Sequence, residues 1–94
     1  MPYLRARHRV KYYAQWKKVF DEHSKKRQEL GSKGGYIFRN SEKPIEILSL
    51  TEWQDLSRAR EFTRWRNPAE IRSKAGLIDQ PDMYFLEQID SVKA

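Results

Sequence analysis

The chain has 94 residues, a formal net charge of +6 and no cysteine, so we expect one domain, 1–94, without disulfides or thiolate metal sites. No apolar run reaches the roughly 18 residues of a membrane helix, and no secretion signal is evident, which favours a cytoplasmic protein. Basic residues are interleaved with acids along the chain, which argues against nucleic acid as the partner.

Residues 3–10 alternate between two faces with the period of a β-strand. The face predicted to cover a core holds Leu4, Ala6, His8 and Val10. The opposite face holds Tyr3, Arg5, Arg7 and Arg9. Two interpretations of these arginines stay open: they clamp an anionic ligand inside a dimer, or they pair with Glu46, Glu52 or Glu87.

Apolar residues recur with helical period over residues 13–30 and predict one amphipathic helix of about five turns, ended by Gly31. Its start lacks Ser, Thr, Asp and Asn, so its N-cap is expected to be weak. Residues 31–35 are predicted to be a plain connection, because a phosphate-binding glycine loop runs from a strand into a helix. Residues 31–35 instead run from a predicted helix into a predicted strand.

The second half of the chain predicts a hairpin, two helices and a last strand. Residues 36–39 and 45–53 form the hairpin strands, and the second of them has no wholly polar side, as is typical of a strand covered on both faces. Residues 54–66 are predicted to be helical. Asn67, Pro68 and Glu70 then predict a short helix that ends at Gly76, because they supply a cap, a first-turn proline and a matching glutamate. Residues 83–89 predict the last strand.

This order of elements predicts an α+β, ferredoxin-like βαββαβ fold with a four-stranded antiparallel sheet. Both main helices would cover one face of the sheet and leave the other face bare. Because the bare face includes large apolar side chains, a homodimer with the two sheets facing each other is expected.

Seven short segments, spread along nearly the whole chain, form a recognisable pattern. They are YAQWK at 13–17, GSKGG at 31–35, EWQDL at 52–56, AREF at 59–62, AG at 75–76, DQPD at 79–82 and YFLE at 84–87. Together they resemble the dimeric α/β-barrel superfamily, in its antibiotic biosynthesis monooxygenase-like or cyclase-like group. Relatives usually carry an aspartate where this chain has Tyr12, and often an acid where it has Gln54. We interpret both differences as lost helix caps, each worth about 1 kcal/mol.

The resemblance implies a homodimer with a pocket in each subunit, between the sheet and the helices. Characterised relatives oxidise aromatic polyketide-type substrates with O2 and without metal or flavin, and others degrade haem. The chain is therefore expected to be a cofactor-independent monooxygenase or cyclase-like enzyme acting on a small aromatic or apolar substrate. The alternative is a non-catalytic dimeric module that binds a small ligand or regulates another protein.

His8 is the candidate catalytic residue, because a histidine on the core side of a strand can pass protons near neutral pH. The alternative is a buried neutral histidine that is held by a hydrogen bond. His23 lies on the helical stripe and could approach His8, but no third ligand has a suitable spacing, so no metal site is expected. The candidate substrate-binding residues are His23, Tyr36, Phe62, Trp65 and Tyr84. The aromatic residues among them could instead belong to the hydrophobic core. The enzyme hypothesis predicts a cavity lined by His8 and aromatic rings, whereas the alternative predicts that side chains fill this space.

Overall fold

The computed structural model describes all 94 residues and confirms the α+β, βαββαβ prediction. The elements are β1 (Pro2–Arg9), α1 (Tyr13–Glu22), α2 (Ser24–Glu29), β2 (Ser32–Arg39), β3 (Glu46–Trp53), α3 (Leu56–Trp65), α4 (Pro68–Ala75) and β4 (Asp82–Glu87). The strands form one sheet in the order β2-β3-β1-β4, and every neighbouring pair is antiparallel. None of the four helices combines the length and the apolar character that a membrane-spanning helix requires.

The predicted alternation of β1 is confirmed, and it sets the two faces of the sheet. Leu4, Ala6 and His8 of this strand lie under the helices and are buried. Leu4 belongs to a core cluster with Trp53, whereas Val10 belongs to a second cluster with Trp16. His8 lies between Leu4 and Val10 along the same buried face of the strand, so it is placed between the two clusters.

The predicted single helix over residues 13–30 is instead two helices, α1 and α2, that meet at His23. The backbone N–H of His23 donates to the carbonyl of Phe20 at 3.3 Å, which tightens the end of α1 into a 3₁₀-type turn. The buried stripe nevertheless continues across the break, with Trp16 in α1 and Arg27 in α2 both buried.

Strand β2 begins at Ser32 and includes the glycine-rich segment, so the prediction of a connection over residues 31–35 is wrong. The pairing with β3 shifts between Ser32 and Gly34. A Cβ atom on Gly35 would lie 1.9 Å from the carbonyl oxygen of Leu50. Glycine is thus required at position 35 because the two strands approach each other closely there. A prediction from residue propensities instead interprets such a glycine as the end of a strand. The last strand ends at Glu87, two residues before its predicted end.

The helix caps correct one interpretation and confirm another. Tyr12 caps α1 without a side-chain hydrogen bond, as predicted. The side chain of Asp55, however, accepts a hydrogen bond from the Arg58 N–H at 2.8 Å and caps α3. The cap lies one residue after Gln54, so the interpretation of Gln54 as a lost cap is wrong. In α4, Asn67 supplies the predicted cap and Gly76 ends the helix in the left-handed conformation.

Candidate functional site

A cleft of about 830 Å³ lies beside His8, between α4, the end of β1 and the start of β4. The segment after α4, which forms one wall of the cleft, is held against the end of β1. After Gly76 ends α4, Leu77 forms an isolated antiparallel bridge with Val10, and the N–H of Ile78 donates to the Arg9 carbonyl at 2.8 Å. These bonds hold the segment after α4 next to the strand that carries His8.

His8 is buried, with 5% of its surface exposed, and it lines the cleft. Its Nδ1 atom is enclosed and has no hydrogen-bond partner, which is unusual for a buried polar atom. Burial lowers the pKa of His8 to about 4, and the positive charge of Arg66 adds to this effect. The imidazole is therefore neutral at pH 7, with one nitrogen able to donate and one able to accept a hydrogen bond.

A second void, of about 40 Å³, lies on the inner side of His8, between the sheet and the helices. It is lined by both histidines, His8 and His23, together with Arg27, Arg66 and apolar side chains. His8 and His23 therefore border one void. Its size suits a group no larger than a water or two, so the larger cleft is where a ring-sized ligand fits.

Arg66 is a site residue that sequence reasoning missed. Its Nε atom is enclosed without a partner, and another guanidinium nitrogen lies 3.2 Å from the sulfur of Met83, which is a weak acceptor. Burial lowers the pKa of Arg66 to about 10, so the side chain stays charged at neutral pH. The only sequence signal for it was its position directly before the Asn67-Pro68 cap.

The predicted ligand contacts His23, Phe62 and Trp65 cluster together, but not in the cleft. The rings of His23 and Trp65 are 5.3 Å apart with an edge-to-face geometry, and those of Phe62 and Trp65 are stacked at 5.9 Å. Phe62 also packs against Trp53 at 5.3 Å in the core. His23 and Phe62 border the small void, and His23 and Trp65 border a separate surface groove.

Tyr36 and Tyr84 lie on the open face of the sheet, opposite the helices. Their exposed fractions are 67% and 55%, because Tyr36 is paired with Leu50 and Tyr84 with Arg5, both of which face away from the helices. The sheet separates both rings from the cleft. No Phe, Tyr or Trp side chain lines the cleft, whereas Trp16, Phe20 and Phe62 border the small void on the inner side of His8. A role of Tyr36 or Tyr84 in binding stays a prediction.

The arginines of β1 are paired or stacked on the open face. Arg7 donates to Oε1 of Glu46 at 2.6 Å and to Oδ2 of Asp82 at 3.0 Å, while Arg9 lies 3.6 Å from Asp79. Hydrogen bonds to Glu46 and Asp82 raise the pKa of Arg7. Of the carboxylates proposed from sequence, only Glu46 is used in this way; the two aspartates were not anticipated.

The architecture is that of the antibiotic biosynthesis monooxygenase proteins, which confirms the resemblance at the level of the fold. A candidate antibiotic biosynthesis monooxygenase from Bordetella bronchiseptica superposes with a TM-score of 0.75 at 14% identity, over 94% of this chain and 96% of the other. The protein Rv0793 from Mycobacterium tuberculosis gives a TM-score of 0.71 at 11% identity, over 98% of each chain.

A third similar structure contains a bound ligand. The monooxygenase from the gene ActVA-Orf6 of Streptomyces coelicolor, in complex with nanaomycin D, superposes with a TM-score of 0.68 at 13% identity. The match covers 99% of this chain and 91% of that protein. No protein-family model matches the sequence, and no curated protein matches it.

Proposed function

We propose that the protein is a cofactor-independent monooxygenase-like enzyme that binds a small aromatic or apolar substrate in the cleft beside His8. The observation that carries this proposal is the cleft of about 830 Å³, which reaches a buried histidine whose Nδ1 atom has no partner. Its volume lies within the roughly 300–1,000 Å³ of small-ligand sites. The similar Streptomyces protein, which binds nanaomycin D, supports a small-ligand site in this fold.

The proposed reaction converts an activated ring CH2 group into a carbonyl, with O2 as the oxidant and the substrate as the reductant. His8 accepts the first proton, the electron pair left on carbon forms a C–O bond with O2, and the proton returns to give a hydroperoxide. Loss of the second C–H proton then breaks the O–O bond and forms C=O. The second oxygen leaves as water, so one CH2 and one O2 give one carbonyl and one H2O.

A pKa of about 4 makes free His8 a weak base, so proton transfer to it requires help from the bound substrate. The carbanion that forms beside the ring supplies this help, since a nearby negative charge raises the pKa of an imidazole. Burial strengthens the effect, because charges interact more strongly where water is excluded. The same burial that weakens the free base therefore makes it responsive to charge developing in the cleft.

Oxygen consumption with anthrone, which carries an activated ring CH2 group, tests the proposal. The wild-type protein should accelerate O2 uptake, and His8→Gln should reduce the rate at least tenfold. Arg64→Gln, at an exposed position of α3 outside the cleft, serves as the control and should keep the wild-type rate. Binding of anthrone without protein-dependent O2 uptake would favour the non-catalytic binding module instead.

We also propose that the protein acts as a homodimer in which the open sheet faces meet. The open face exposes Tyr36, Phe38, Tyr84 and Leu86. Arg7, the central cation of this face, is already neutralised by two carboxylates, which lowers the cost of covering it. A second copy of the sheet would shield these apolar side chains from water.

The cytoplasm is the compartment we propose, and fractionation of cells that produce the protein would check it.

A further inference from the structure

We propose that the cleft selects an anionic ligand: a small apolar body that carries one carboxylate, phenolate or enolate group, held by Lys11, Arg66 and Arg72. This inference rests on the proposed function, since it names the substrate class of the same cleft. It goes beyond it because a neutral aromatic compound would satisfy the monooxygenase proposal equally well.

The first observation is uncompensated positive charge. Lys11, Arg66 and Arg72 all line the cleft, and none of them forms an ion pair. No aspartate or glutamate is among the lining residues. By contrast, Arg7 and Arg9 on the open face both have carboxylate partners. The cleft is therefore lined by three cations and by no acid.

The second observation is unsatisfied hydrogen-bonding capacity in two residues that line the cleft. Arg66 Nε and His8 Nδ1 are both enclosed and both lack a partner. A buried donor without an acceptor costs free energy, and a guanidinium is best satisfied by a planar oxyanion. A carboxylate or enolate oxygen directed at Arg66 would supply the missing acceptor. The first turn of α4, with Pro68 and Ala69 in the cleft wall, adds the partial positive charge of a helix N-terminus.

The remaining wall is apolar and sets the other half of the ligand. Ile71, Leu77 and Met83 border the same cleft as the three cations. An inorganic anion would leave this surface in contact with water, whereas a neutral ring would leave the cations without a partner. A ligand with an apolar body and a single anionic group matches both parts of the lining.

A pair of probes that differ only in charge tests the inference: 2-naphthoate and its amide, 2-naphthamide. Titration calorimetry at pH 7 should show that 2-naphthoate binds at least tenfold more tightly. Arg72→Gln and Lys11→Gln should each weaken 2-naphthoate binding at least fivefold and leave the amide unchanged. Arg64→Gln removes the same charge outside the cleft and should have no such effect. The exposed Lys11 and Arg72 are chosen because a variant of the half-buried Arg66 could fail to fold.

The imidazole of His8 reports on the same event by NMR, since the chain has only two histidines and a His23→Gln variant assigns their signals. The charged groups that border the two voids at His8 are Lys11, Arg27, Arg66 and Arg72, together with His23 when it is protonated, and all are cationic. A bound anion should therefore raise the pKa of His8, whereas 2-naphthamide should not.

Equal or tighter binding of 2-naphthamide, no binding of 2-naphthoate, or equal effects of Arg72→Gln and Arg64→Gln would each overturn the inference. These binding measurements need no turnover. Anion selectivity without O2 uptake would contradict the monooxygenase proposal and leave this inference standing. Oxidation of neutral substrates without anion selectivity would overturn this inference and leave the monooxygenase proposal standing.

Discussion

The indole ring of Trp16 lies 5.4 Å from the imidazole of His8, at an inclination of 49°. Trp16 in turn stacks on Phe20 at 5.1 Å, so the first helix forms an aromatic wall over the centre of β1. This wall removes His8 from water on the helix side, while the cleft reaches it from the side of α4. Burial by Trp16 and access from the cleft together give His8 its depressed pKa and its proposed role.

The depressed pKa of His8 predicts a loss of stability in mild acid. Its pKa falls from 6.5 in the unfolded chain to about 4 in the fold, so between these values the unfolded state binds more protons. The free energy of unfolding should therefore fall as the pH drops from 6.5 towards 4, by up to about 3 kcal/mol from this group. Urea titrations at several pH values measure the change.

His8→Gln isolates this contribution, since the variant should lose much of the pH dependence between 6.5 and 4. The pKa of His23 is also lowered, mainly by burial, so His23→Gln should remove a smaller part. If the unfolding free energies of His8→Gln and the wild type depend on pH in the same way, protonation of His8 does not destabilise the fold.

Helix capping predicts a stabilising substitution at Tyr12. This residue has extended backbone angles at the N-cap of α1, makes no capping hydrogen bond and is 70% exposed. Tyr12→Ser should raise the free energy of unfolding by about 0.5–1 kcal/mol, because a serine oxygen can accept from the N–H groups of the first turn. Thermal or urea denaturation checks the gain.

Asp55→Ala is the reciprocal test of capping. It removes the cap of α3 and should cost about 1 kcal/mol of unfolding free energy. If the Asp55 variant loses stability and Tyr12→Ser gains none, the start of α1 does not accept a side-chain cap.

Gly34 and Gly35 are neighbours in β2 with different predicted tolerance. A Cβ on Gly35 would collide with the Leu50 carbonyl in the paired strand, so Gly35→Ala should cost about 3 kcal/mol. Gly34 has a φ of +92° but open space around it, so Gly34→Ala should cost only the backbone strain, about 1–2 kcal/mol. Denaturation of both variants measures the difference. The reverse order of costs would contradict the pairing of β2 with β3.

The proposed homodimer predicts that a charge on the open face separates the subunits. Phe38 is exposed on this face, 6.2 Å from Tyr36, and Phe38→Asp should shift the protein from dimer to monomer in light scattering after gel filtration. Ile89→Asp makes the same kind of change beyond the last strand, where Ile89 is 95% exposed, and should leave the dimer intact. A wild-type monomer at micromolar concentration would contradict the arrangement.

Much of the fold follows from the sequence because the patterns were local. The strict alternation of β1 was enough to place His8 under the helices, and the Asn67-Pro68-Glu70 spacing was enough to place α4. Gly35 was misread because its requirement comes from the neighbouring strand, which no local pattern shows. The break at His23 was also missed, since the buried stripe runs through it without interruption.

The candidate site was less predictable, because it depends on contacts between distant elements. An aromatic residue at Tyr36 or Tyr84 suits a pocket or an open face equally well until the strand register is known. Arg66 carries no pattern that distinguishes it from a surface arginine, and its burial arises only when α3 packs against β1 and Arg66 meets Met83 of β4. Charge convergence in the cleft is likewise a property of the folded chain.

Backbone NMR of the ¹⁵N-labelled protein during a titration with anthrone under argon, where no turnover occurs, tests most directly whether the cleft beside His8 is the functional site. The largest amide shift changes should occur at His8, Gly76, Leu77 and Met83, which border the cleft. Changes concentrated at Tyr36 and Tyr84 instead would place the ligand on the open face and contradict the account.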